Sequence, residues 1–158
     1  LIEYDNVRVY RVDGTDLVPV AMLGQGEVYS DETVDHLRVA VGEGITGWVA
    51  LYAKPQRIPD VSKDPRYVEI RKGIRSELAV PMELMGNVIG VVNCDSDRLD
   101  AFSEQDLAFL ALLTNEASKA VGRIWLLRQL RSKAAQLEAL VRAAQEAVRF
   151  AATPGRGQ

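Results

Sequence analysis

The stretch VAVGEGITGWVALYA, residues 39–53, decides how the chain is read, because Gly42, Gly44 and Gly47 spell G-x-G-x-x-G between an apolar run and a helix-like one. In a dinucleotide-binding fold that pattern follows a strand, opens a crossover helix and precedes an acidic residue by about 20 positions, which Asp60 or Asp64 satisfies. The flanking sequence argues otherwise. Ile45, Trp48, Val49 and Tyr52 form one apolar stripe of a helix of about two turns, which Pro55 ends. That is too short for a crossover between parallel strands, and Glu43 would set a carboxylate beside a pyrophosphate. The glycines are read instead as serving backbone turning and tight helix packing.

Outward from this stretch, VRVYRVDGTDLVPVAML (residues 7–23) alternates apolar and polar positions around Asp13-Gly14 and reads as a β-hairpin. Pro19 has no N–H to give a ladder, so its strand should lie at an edge or carry a bulge. Residues 24–36 form a long polar connection of the kind that borders binding sites, and LRVAV (37–41) is a third strand. RIPDV (57–61) reads as a short extended piece, followed by a charged loop. Residues 77–96 give a second hairpin around Met85-Gly86-Asn87. Hairpin, short helix, hairpin and long helix define an α+β class, not the alternating βαβ order a dinucleotide site requires.

The long helix has a distinct start. Ser103 and Asp106 form a capping box, with Phe102 and Leu107 as its hydrophobic staple. No proline follows until Pro154, so the helix is expected to run to about residue 150. Leu110, Leu113, Ala117, Ala120, Ile124 and Leu127 alternate spacings of three and four. Leu130, Ala134, Leu137, Val141, Ala144 and Val148 continue after one extra three, a heptad seam with a stammer at residues 127–130. The first half should pack partly on the domain's sheet and the second against a partner helix. Leu113, Ala117, Ala120, Ile124, Leu127, Leu130, Leu137 and Val141 are therefore candidate interface residues of a homodimer, parallel or antiparallel.

The 158 residues are 47% apolar with a net charge of −3, enough for one core domain plus this extended element. The charge is uneven, since seven cationic and three anionic residues fall within residues 116–149. Spaced charges on a helix are usually a solvated face, so nucleic-acid attachment is disfavoured. Cys94 is the single cysteine, which excludes an internal disulfide and fits a cytoplasmic setting; no apolar run is long enough to span a membrane.

The segments GEGITGWVA, IPDVSKDPRY, IRSELAVPM, NVIGVVNCDS and AFSEQDLAFLALLTNEASKAV, in this order and spacing, resemble the GAF domain family, small-molecule-sensing modules of bacterial signalling proteins. The resemblance implies an antiparallel sheet with helices on one face and a ligand cavity on the other, a GAF/PAS-like fold. It covers residues 1–126, the sensory domain. Residues 127–150 are expected as a coiled-coil signalling helix and 151–158 as a disordered tail. The helix that usually precedes the family's first strand is not evident.

The resemblance also sorts the chemistry. Cyclic-nucleotide-binding members carry Asn-Lys, Phe and Asp-Glu where this chain has Asn93-Cys94, Phe102 and Asp106-Leu107, so a cyclic nucleotide is left open without support. Members that reduce free methionine sulfoxide use a resolving thiol, which a lone Cys94 does not provide, and Cys94 lacks the following His of bilin-binding members. Haem ligation by His36 is disfavoured, and Cys94 is read as a buried, inert thiol. No metal or catalytic set is evident. The candidate ligand pocket comprises Trp48, Tyr52, Ile58 and Tyr67 as walls and Asp60, Arg75, Ser76 and Glu77 as polar groups. The expectation is a non-catalytic sensory domain that binds a small molecule and relays its state through a dimeric helix to an effector; the alternative is a dimerisation spacer with a degenerate pocket.

Overall fold

The computed structural model describes residues 2–24 and 36–152, so most of the polar connection at 24–36 and all of the tail after residue 152 lie outside the described residues. The hairpin read at residues 7–23 is β1 (Asn6–Asp13) and β2 (Asp16–Gly24), and β3 is the two-residue strand Val39–Ala40. Helix α1 (Gly44–Tyr52) leads to β4 (Gln56–Ile58) and a 3-10 turn at Val61–Lys63. The second hairpin is β5 (Ser76–Leu84) and β6 (Asn87–Ser96), and α2 runs from Glu104 to Ala152. All pairings are antiparallel, in the order β3-β2-β1-β6-β5-β4.

Local chemistry accounts for the joints. Pro19 pairs with Tyr10 where the register slips by one residue, leaving Val20 as the bulge, and among the described residues β3 pairs β2 only at Asp16 and Leu17, so none of them pairs with Pro19 on that side. Met85 and Gly86 both take positive φ, 52° and 80°, as a two-residue hairpin turn requires. Gly42 and Gly44 also have positive φ, and a Cβ on Gly47 would come within 2.3 Å of the Ala40 carbonyl oxygen. The glycines thus turn the chain and seat α1 against β3.

Two units divide the chain, residues Leu1–Lys119 and Ala120–Gln158. In the first, side chains from alternate strand positions build two cores. Tyr10, Leu17, Val39, Ile45, Val49, Ile58, Ala79 and Val91 pack on the α1 face. Leu78, Val80, Cys94, Phe102 and Leu110 pack beneath the first turns of α2. Burial of each large side chain here contributes about 2 kcal/mol. The capping box forms as read: the Ser103 N–H donates to Asp106 Oδ2 at 2.7 Å, and the Asp106 N–H donates to Ser103 Oγ at 3.2 Å. Arg57 ties β4 to this helix start, donating to Glu104, Asp100 and the Phe102 carbonyl.

Two expectations change. The α1 stripe is rotated: Ile45, Thr46, Val49 and Ala50 are buried while Tyr52 is exposed, because α1 lies on the sheet through the face that bears Gly47. Only Leu110 of the early seam is buried on the sheet, joined by Thr114 and Ser118, whereas Leu113 and Ala117 are exposed. In the second unit the helix is continuous to Ala152 and its seam side chains are exposed. No helix among the described residues is long and apolar enough to cross a membrane.

Candidate functional site

Between α1 and the sheet lies a partly enclosed cavity of about 100 Å³, whose polar lining comes from β1, β5, β6, α1 and the connecting segments that carry Arg38, Glu43, Tyr67 and Arg71. The period of two explains it. On β6, Val91, Asn93 and Asp95 face α1 while Val92 and Cys94 face α2; on β1, Arg8 and Tyr10 share the α1 face. Centre strands normally fill such positions with apolar groups, so a run of polar ones marks a built site.

Two linked networks occupy the floor. Asn93 Nδ2 donates to Glu77 Oε1 and, at 2.8 Å, to Thr46 Oγ1, while Thr46 Oγ1 donates to Glu77 Oε1 at 3.2 Å. Beside them Arg8 Nη1 donates to Asp95 Oδ2 at 2.9 Å, with Asn6 Nδ2 on the same oxygen at 3.4 Å. Asn93 Oδ1 and Asp95 Oδ1 are buried without a donor among the described residues.

Burial governs the ionisation. Glu77 is pushed up to about 7 by burial, and the charge of nearby Asp95 adds to the rise. Burial also raises Asp95, with Arg8 and Arg71 acting against it. Tyr10 and Tyr67 are pushed up to about 12 by burial. Chemically the cavity offers guanidinium groups from Arg8, Arg38 and Arg71, buried acceptors on β6, and a carboxyl group that exchanges its proton near neutrality.

Of the residues singled out from sequence, Tyr67 and Glu77 line this cavity. The others lie elsewhere. Trp48 packs at the margin of the core, stacked on Tyr52 at 4.7 Å and covered by Arg66 at 4.7 Å, so this aromatic pair forms an outer stack and not a pocket wall. Ile58 is a core residue. Asp60 caps the 3-10 turn through Ser62 and borders a separate shallow depression. Arg75 joins the ends of β5 and β6 through its backbone, and Ser76 donates to the Arg98 carbonyl. Sequence reasoning missed Arg8, Tyr10, Thr46, Asn93 and Asp95; the signal was the polar alternation in NVRVY and VVNCDS within two otherwise apolar strands. His36 places Nε2 3.2 Å from the Ile70 carbonyl. Cys94 is buried on the α2 face, its thiol pushed up to about 12 by burial.

A family model for the GAF domain matches residues 6–121. The chain belongs to the GAF domain family. It is 36% identical over 73 residues to GAF domain-containing protein A of Dictyostelium discoideum, covering 46% of each. It is 27% identical over 85 residues to the free methionine-R-sulfoxide reductase of Escherichia coli K12, covering 54% of this chain and 52% of that one. The chain spans about half the length of the curated relatives it matches. Among solved structures, a type II free methionine-R-sulfoxide reductase from Thermoplasma acidophilum superposes with a TM-score of 0.67 at 28% identity, covering 76% of this chain and 80% of that one.

These relatives correct the functional expectation. A non-catalytic domain was expected, with the sulfoxide reductase reading set aside on the cysteine count. Reductases at 27% and 28% identity overturn it, because the relatives on this fold include enzymes. The lone-cysteine argument addressed one thiol mechanism and had no bearing on what the cavity is built to hold.

Proposed function

We infer that the cavity under α1 binds a small zwitterionic molecule of the free α-amino-acid class. Free methionine-R-sulfoxide, the compound in the names of the reductase relatives, is the first candidate. The observation that carries the reading is the pair of buried acceptors, Asn93 Oδ1 and Asp95 Oδ1, one inward step apart on β6 beside Glu77. Each such atom without a donor costs about 1–3 kcal/mol, and an ammonium group brings three N–H donors and a matching charge. Guanidinium groups in the lining, from Arg8, Arg38 and Arg71, supply positive charge for a carboxylate. The volume suits a small molecule and is well below the roughly 300 Å³ at which drug-sized sites begin.

Isothermal titration of the chain with L-methionine-R-sulfoxide, L-methionine and their N-acetyl forms tests the reading. The free amino acids should bind, and N-acetylation or Asp95→Asn should weaken binding more than about tenfold. Equal affinity for acetylated and free forms, or no binding at millimolar ligand, rejects it. Conversion of the sulfoxide to methionine and water takes two electrons and two protons. Cys94 faces away from the cavity, so the assay supplies an external dithiol as reductant and follows methionine release.

A further inference from the structure

The second unit carries a surface that the ligand cavity does not explain. Residues 120–152 of α2 present Ala120, Ile124, Leu127, Leu130, Ala134, Leu137, Val141, Ala144 and Val148 along one seam, all exposed in a single copy; Leu137 is 63% accessible. Reading the spacings as heptads places Ile124, Ala134, Val141 and Val148 at a, and Ala120, Leu127, Leu130, Leu137 and Ala144 at d. Three of the four a residues are β-branched, and d is occupied only by leucine and alanine. In parallel coiled coils, β-branched a with leucine d favours two strands, because each side chain enters its hole with the geometry that packing offers.

The flanking charges choose the same arrangement independently. In a parallel, in-register pair, each g residue meets the e residue of the partner's following heptad. Lys133 is a g residue and Glu138 the e residue it would meet, so the pair forms twice, once on each side of the seam. Arg123 and Arg128 hold the corresponding places before the stammer and meet as like charges, which makes residues 123–130 the weak part of the seam. We propose that residues 130–148 pair with a second copy of this chain as a parallel, in-register, two-stranded coiled coil.

The test uses the whole chain. Sedimentation equilibrium should show a dimer across the micromolar range. Leu130→Cys and Leu137→Cys, made separately, should each form self-linked dimers under mild oxidation, whereas Ala139→Cys, on the outer face, should not. Cys94 can remain, since it is buried. Glu138→Lys should weaken the dimer roughly fivefold, and adding Lys133→Glu should restore it. A monomer, a trimer, a dimer in which only one of the two leucine positions cross-links, or a charge swap without restoration overturns the proposal.

Discussion

Arg8 and Asp95 meet across the two central strands, Nη1 to Oδ2 at 2.9 Å, with both side chains almost wholly out of solvent. A charge pair at the centre of a sheet is seldom the most stabilising filling for that space, since well-packed apolar groups often do as well. Both residues line the cavity, and removal of one partner leaves the other charged and buried. Arg8→Ala should therefore lower stability by about 3 kcal/mol at neutral pH. Urea unfolding measures it, and the deficit should narrow at low pH, where Asp95 takes up a proton; a pH-independent deficit would instead point to lost packing.

Glu77 sets a second dependence. Its carboxyl holds a proton up to about pH 7 in the folded chain and to 4.5 when unfolded, so between those values the folded state binds more protons. The stabilisation is complete below pH 4.5 and is lost as pH rises through 7. Its full size is about 3 kcal/mol. Unfolding of the wild-type chain and Glu77→Gln in parallel from pH 4.5 to 8 should show a difference that changes in this direction; a constant difference would mean that Glu77 is ionised in the fold.

Gly47 has no room for a side chain. A methyl group there would press on the Ala40 carbonyl oxygen, part of the backbone of β3, which has no rotamer with which to yield. Gly47→Ala should lose about 2 kcal/mol and weaken ligand binding, because α1 brings Thr46 to the cavity. Gly14→Ala makes the control for expression and handling, since nothing lies within 4 Å of that position, although its φ of +64° carries some strain. Equal losses at the two sites, in thermal melts and titrations, would remove the steric argument.

Cys94 should be unreactive in the folded chain. Its thiol is buried, with ionisation pushed up to about 12. Labelling by a chromogenic disulfide reagent should follow global unfolding, slowing in step with stability and speeding up in denaturant. Rapid stoichiometric labelling of native protein would place the thiol within reach of solvent.

The elements were legible because each rests on local chemistry: the turn at Asp13-Gly14, the capping box at Ser103 and Asp106, and the apolar alternation of β5 and β6. The helix face of α1 was not, since its rotation depends on where Gly47 meets Ala40, a contact between segments. The cavity was legible only in part. Glu77 and Tyr67 follow from the ordered segments, but Arg8 and Asp95 are 87 positions apart and become neighbours through strand order alone. Trp48 and Tyr52 were credible walls by residue type, and their position on the outer side of α1 excluded them.

The sheet order has a consequence for how the chain is made. Strands β1 and β6, adjacent at the centre, are the first and last in chain order of the six described strands. Until β6 emerges, Asp95 is not there to meet Arg8, and the strand that flanks β1 on its inner side is missing. Nascent chains halted before residue 87 would therefore hold the β1–β2 hairpin but lack Asn93 and Asp95, and pairing across so long a loop makes closure of the sheet a late, slow event. Binding competence should arrive in one step, with the last strand, and a ligand present during synthesis should act on that step alone.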